Sequence, residues 1–240
     1  MSDPDRRIPY DRPRVAPAEL LRRAEAFEAH LDTRRSVRNF SGEPIPQAVI
    51  ESAIRAASTA PSGAHQQPWT FVAISDAETK RRIRVAAERE EYRSYEGGRM
   101  PAQWRDALRP LGTGWQKPYL ETVPWIVVLF AQQHGFFPDG SKRRHYYVRE
   151  SVGIAAGLFI AALHEAGLAT LTHTPSPMAF LRTILGRPSH EMPFVLFPIG
   201  YPAVGCTVPD IRRKPLDEIA VFNPPPQLDP GDDPLLPAPE

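Results

Sequence analysis

Hydrophobic and polar positions along this chain alternate between helix-like and strand-like blocks. Three mixed apolar and charged stretches predict helices: about 18–31 (AELLRRAEAFEAHL), about 46–59 with Pro46 in its first turn, and about 76–92 capped by Asp76. Four runs predict strands: WTFVAIS at 69–75, WIVVLFA at 125–131, ATLTHT at 169–174 and FVLFPIGY at 194–201. A long apolar helix is expected between the second and third of them, at about 146–166. Its longest apolar run, Val152 to Leu163, has twelve residues, short of the roughly 20 needed to span a bilayer. It reads as a buried core helix, so no membrane span is expected. Helices flanking a sheet without regular βαβ alternation predict a layered α+β domain.

Proline marks the ends. Pro4, Pro9, Pro13 and Pro17 fall within residues 1–17, and 223–240 reads NPPPQLDPGDDPLLPAPE, so two extended arms are expected around a single domain at 18–222. Arms of this kind can wrap a partner subunit. The balance of 42% apolar and 24% charged residues in 240 is ordinary for a globular chain. Basic side chains number 29 against 28 acidic ones, and a net charge of +1 gives no global field for nucleic acid or an anionic membrane. A basic cluster must therefore act locally. The single Cys206 excludes an intramolecular disulfide and a cysteine-built metal site, and the opening MSDPDRRIPYDRPR has no apolar signal segment, so a cytoplasmic protein is expected.

One basic cluster stands out. Arg34-Arg35-Ser36-Val37-Arg38 lies in a stretch from Thr33 to Gly42 without an acid. Guanidinium forks match phosphate oxygens two at a time, and a serine hydroxyl adds an uncharged donor, although a solvated turn after a helix has the same composition. Three other loops carry chemistry-bearing groups. Pro61-Ser62-Gly63-Ala64-His65 forms a tight turn with a hydroxyl and amides free to face a ligand, or a plain connector. Thr170-Leu171-Thr172-His173-Thr174-Pro175 ends a strand with hydroxyls and an imidazole, or is a β edge rich in threonine for its own sake. Pro209-Asp210-Ile211-Arg212-Arg213-Lys214-Pro215 is a second basic cluster, explained by solvation unless it folds back on the first.

Taken in order, RRSVR, PSGAHQQPWTFV, HYYVRESVGIAAGLFIAALHEAGL, GRPSHEMPFVLFPIGYP and VPDIRRKPLDEI resemble the flavin-dependent nitroreductase superfamily, and within it the iodotyrosine deiodinase branch. The resemblance runs from about residue 20 to 222. It implies a layered α/β/α domain with a central, mainly antiparallel sheet, in an arm-exchanged homodimer that binds FMN at the subunit interface. It also implies that Arg34, Arg35, Ser36, Arg38 and Arg213 hold the FMN phosphate and ribityl chain. Ser62 and Gly63 contact the flavin on this pattern, and Thr172, His173 and Thr174 line its edge. His173 stands where the pattern has a threonine, with backbone groups expected to carry that contact.

On this resemblance, residues 88–121 correspond to the segment that separates a deiodinase from a general nitroreductase. Glycines at 97, 98, 112 and 114 alternate there with Trp104, Trp115 and Tyr119, as expected of long loops that close as a lid. The resemblance assigns Glu91, Tyr95 and Lys117 to an amino-acid zwitterion, with Glu88 and Glu90 as alternatives for the carboxylate. A carboxylate for the ammonium and a cation for the carboxylate suit that ligand independently of the family. It further implies that the Ala64 amide donates to the substrate's phenolate and that the Thr174 hydroxyl, directed at flavin N5, favours one-electron chemistry. The implied activity is reductive dehalogenation of 3-halotyrosines, with NAD(P)H or a separate reductase as electron donor. Alternatives are a nitroreductase or quinone reductase for another aromatic, or a flavin-holding module without activity.

Overall fold

The computed structural model describes residues 7–223, so residues 1–6 and all of the predicted C-terminal arm beyond Asn223 lie outside the described residues. The chain divides into two compact units between Val208 and Pro209. The first holds, in order, α1 (Pro17–Asp32), α2 (Gln47–Ala57), β1 (Trp69–Ile74), α3 (Ala77–Tyr95), α4 (Ala102–Leu108), α5 (Tyr119–Thr122), β2 (Trp125–Gln132), β3 (His134–Phe136), β4 (Lys142–Arg144), α6 (Val148–Glu165), β5 (Ala169–Thr170), α7 (Ala179–Ile184) and β6 (Glu191–Gly200). The second, as described from Pro209 to Asn223, is irregular apart from one 3-10 turn at Leu216–Glu218 and contains Arg213.

The main sheet runs β1-β2-β6-β5, and each adjacent pair is antiparallel. Side chains alternate across a strand, yet β2 is apolar almost without interruption because both of its faces are covered. Val127, Leu129, Phe197 and Ile199 pack with Ile50 of α2 and Phe159 and Leu163 of α6. Ile126, Val128, Phe130 and Leu196 pack on the other side with Ile83 of α3, Leu120 of α5 and Leu181 of α7. Burying each such side chain contributes roughly 1.5–3 kcal/mol, and the two clusters produce the three α/β/α layers. Local signals set the helix ends: Asp76 accepts from the Thr79 N–H at 2.7 Å, and Pro17 opens α1.

Three expectations need correction. The strand predicted over 169–174 reduces to Ala169–Thr170, with His173 and Leu196 paired farther along in the same register. Leu171 stands opposite Pro198 in that register, and proline has no N–H to donate, so the ladder breaks there. Helix α6 is buried on one face only. Val152, Ala155, Phe159 and Leu163 are enclosed, whereas Ile154 and Leu158 are 46% and 38% exposed, beside glycines 153 and 157. The lid stretch 88–121, expected as loops, is largely helical through the end of α3, α4 and α5.

Candidate active site

The RRSVR segment leaves α1 and runs beside β5, held by the Val37 N–H donating to the Thr170 carbonyl at 3.3 Å. A parallel bridge between Ser36 and Thr170 gives it strand-like alternation. Val37 is buried, while Ser36 and Arg38 line a cavity of about 320 Å³. Arg34 and Arg35 line a different concavity of about 430 Å³ with His30 and His164. Arg34 also shares a third, of about 350 Å³, with Ser36 and Thr172. One short basic run thus serves adjoining spaces.

The 320 Å³ cavity gathers most of the residues that the sequence singles out. Glu91 and Tyr95 reach it from the last turns of α3, Lys117 from just before α5, and Thr172, His173 and Thr174 from beyond β5. Glu91 is the acid at this cavity. Glu88 instead accepts from the Lys117 backbone N–H at 2.7 Å and pairs with Arg84 at 2.9 Å, and Glu90 pairs with Arg93 and Arg99. Glu88 therefore positions Lys117 from outside.

The electrostatics are unbalanced. Lys117 Nζ lies 3.6 Å from Glu91 Oε2, donates to Thr113 Oγ1 at 3.2 Å and to the Gly114 carbonyl, and sits 5.8 Å from the Tyr95 ring centroid. Burial raises the Glu91 carboxyl above its ordinary value despite Lys117, and lowers the Lys117 ammonium despite Glu91. Burial also raises the Tyr95 and Tyr119 hydroxyls. His173 is pushed down to about 3, by burial first and then by Lys117 and Arg38, so its ring is neutral. Two buried nitrogens bordering this cavity have no hydrogen-bond partner among the described residues, Arg38 Nε and His173 Nε2.

His173 departs from expectation in a second way. Its backbone N–H donates to the Leu196 carbonyl at 2.8 Å and its carbonyl accepts from the Leu196 N–H at 3.0 Å, so its amide is not free for a ligand. The side chain is what it brings to the cavity. Its ring meets Tyr119 edge-on, with centroids 6.2 Å apart.

The PSGAH loop lines none of these three cavities. The Gly63 N–H, expected to be free, donates to Ser151 Oγ at 3.3 Å, and Ser62 Oγ accepts from the Gln67 N–H at 2.9 Å. Ala64, His65 and Gln67 have positive φ of 49°, 53° and 47°, a left-handed backbone costing on the order of 1 kcal/mol or more at each. Gln66 holds that conformation by donating to the Arg144 carbonyl at 2.8 Å and accepting from the Tyr146 N–H at 2.9 Å. Ala64 stays exposed at the tip.

Sequence reading missed part of the lining. Leu108 and Leu111 wall the cavity together with the expected lid aromatic Trp104, from α4 and the turn after it, at i, i+4, i+7 spacing that marks one helix face. Met100, Thr113 and Ser176 had no comparable signal.

A cavity that joins an arginine and several hydroxyls to a buried charge pair, beside a layered antiparallel sheet, defines a class before any particular protein. The Nitroreductase family matches residues 31–201, and the chain belongs to it. Within that family it groups with the iodotyrosine deiodinases. The Haliscomenobacter hydrossis protein of that name is 53% identical over 215 residues, which cover 90% of this chain and 96% of that one. Iodotyrosine deiodinase 1 of Homo sapiens is 46% identical over 215 residues, covering 89% and 74%. A crystal structure of oxidized iodotyrosine deiodinase bound to FMN and 3-iodo-L-tyrosine matches with a TM-score of 0.71 and 28% identity, over 82% of this chain and 100% of that one.

Proposed function

We propose that this chain is an FMN-dependent reductive dehalogenase of 3-halotyrosines, converting 3-iodotyrosine to tyrosine and iodide. The observation that carries the reading is the buried, incompletely paired Glu91–Lys117 couple in the cavity that also takes Arg38 and Thr174. A zwitterionic amino acid satisfies both charges at once, its ammonium at Glu91 and its carboxylate at Lys117, with Tyr95 adding a directional hydroxyl. A bare phenol satisfies neither.

The residues fit FMN on one observation in particular: the buried Arg38 Nε lacks a partner beside the Ser36, Thr172 and Thr174 hydroxyls. An anionic, hydroxyl-rich cofactor supplies acceptors for these donors. Arg34 and Arg35 take the phosphate side. Bound and reduced, FMN supplies the two electrons which, with one proton, replace the carbon–iodine bond by carbon–hydrogen and release iodide. The Thr174 hydroxyl donates toward the flavin, and the lid excludes water.

The same reading takes the protein as a homodimer with the Pro-rich ends as arms, acting in the cytoplasm and drawing electrons from NAD(P)H or a separate reductase. Two observations support the dimer. The exposed apolar stripe of α6 suits a like helix, and the strained, exposed Ala64 lies outside the three cavities described, where it can complete a partner's site. The decisive test is iodide release from 3-iodotyrosine by reduced, anaerobic holoprotein. Release within turnover times is expected. Absence of iodide together with rapid NAD(P)H-dependent reduction of nitroaromatics would instead identify a nitroreductase.

A further inference from the structure

The turn that ends α3 is built from residues which the dehalogenase reading leaves unused. The Glu96 and Gly97 N–H groups both donate to the Tyr92 carbonyl, at 2.8 and 3.2 Å, and the Met100 N–H donates to the Ser94 carbonyl at 3.1 Å. A Cβ on Gly97 would stand 2.6 Å from the Arg93 carbonyl oxygen, and Gly98 has φ of +74°. The first glycine permits a close approach and the second a left-handed backbone, so the chain turns back on the helix. Arg99 is thereby aimed at two separate elements. Its Nη1 donates to Glu90 Oε2 at 3.0 Å and to the Ser176 carbonyl at 2.8 Å.

Both ends of this bridge matter. Glu90 is only 15% exposed at its side chain and also holds Arg93, which fixes it on α3. Ser176 lies two residues beyond Thr174, and both line the cavity. Met100, next to Arg99, is buried and lines it from the lid side. We propose that Arg99 is a positioning residue that latches the lid to the segment beyond β5 that bears Thr174, so that gripping a halotyrosine also fixes the Thr174 hydroxyl. The proposal rests on the dehalogenase reading for its ligand. Arg99 is 44% exposed, so solvent screens the bridge and its loss barely affects global stability. What it controls is the order of the lid relative to Thr174.

Hydrogen exchange over 97–111 in holoprotein without substrate tests the latch directly. Arg99→Ala is expected to speed exchange there by about fivefold, Glu90→Gln to act in the same direction, and Arg99→Lys to fall between. Titrated with 3-iodotyrosine, Arg99→Ala should retain its FMN, bind the ligand about fivefold more weakly, and lose the ligand-induced shift of flavin midpoint potential expected of wild type. Wild-type lid exchange in Arg99→Ala, or an unchanged potential shift at saturation, overturns the proposal. Failure of the wild-type flavin to respond to 3-iodotyrosine sinks the halotyrosine reading instead, and ligand-free exchange still decides whether Arg99 holds the lid.

Discussion

Lys117 Nζ stands 3.6 Å from Glu91 Oε2, beyond direct hydrogen-bond reach, although their side chains are only 4% and 14% exposed. Burial disfavours the charged form of each, so the pair gains from a ligand that sets a further opposite charge beside each. Lys117→Met is expected to weaken 3-iodotyrosine binding by about 10- to 100-fold, the worth of one charge-assisted hydrogen bond, and to leave FMN content and 2-iodophenol binding unaltered. Flavin fluorescence titration of the oxidised holoprotein measures all three. Equal losses for both ligands would remove Lys117 from carboxylate recognition.

The neutral His173 ring gives stability an acid limb. Its folded value of about 3 lies below the ordinary 6.5, so below pH 6.5 the unfolded chain takes up a proton that the folded chain refuses. Stability contributed by this group therefore falls with pH from about 6.5 to about 3, on the order of 1 kcal/mol per pH unit. The charges facing the ring, Lys117 and Arg38, act in the same direction, and Tyr119 against it stays neutral. Urea unfolding at pH 7 and pH 5 should show a larger loss for wild type than for His173→Gln. Parallel losses would mean that the ring is readily protonated in the fold.

The fold was legible where local pattern and tertiary demand agree. Runs such as WIVVLFA need no partner information to read as strand, and Asp76 marks its helix by a bond three residues away. It was not legible where a distant residue decides. Pro198 cuts short the strand that ATLTHT predicts, and only pairing reveals that Leu171 faces it. Site residues divide similarly. Lys117 and Glu91 carry charges whose pairing a sequence can suggest, whereas Arg99 becomes functional only through a carbonyl 77 residues away. The exposed side of α6 looked like core because composition does not say which face of an apolar helix its own domain covers.

That exposed side yields a prediction about assembly. Ile154 and Leu158 lie one turn apart with glycines between and beside them, which allows close helix approach. If the proposed homodimer packs through this stripe, Ile154→Glu with Leu158→Glu is expected to yield a monomer on sedimentation and to release FMN, because on that proposal one subunit's Ala64 loop completes the other's cavity. A double variant that sediments as wild type places the dimer contact elsewhere.

Gly63 tests whether the strained loop is held from below. A Cβ there would stand 2.5 Å from the Tyr146 carbonyl oxygen and 3.0 Å from its carbon, both backbone atoms at the entry to α6 that cannot swing aside. Gly63→Ala must displace the loop, lengthen the 3.3 Å bond to Ser151 and loosen the left-handed Ala64. Thermal and urea unfolding should report a loss of about 1–3 kcal/mol, the range for overpacking against an unyielding neighbour. Halotyrosine affinity should fall further than that of Ser62→Ala, since displacement moves the Ala64 amide whereas loss of the hydroxyl frees only the Gln67 N–H. If Gly63→Ala unfolds and binds like wild type, the close contact with Tyr146 does not constrain the loop and Ala64 is positioned by other means.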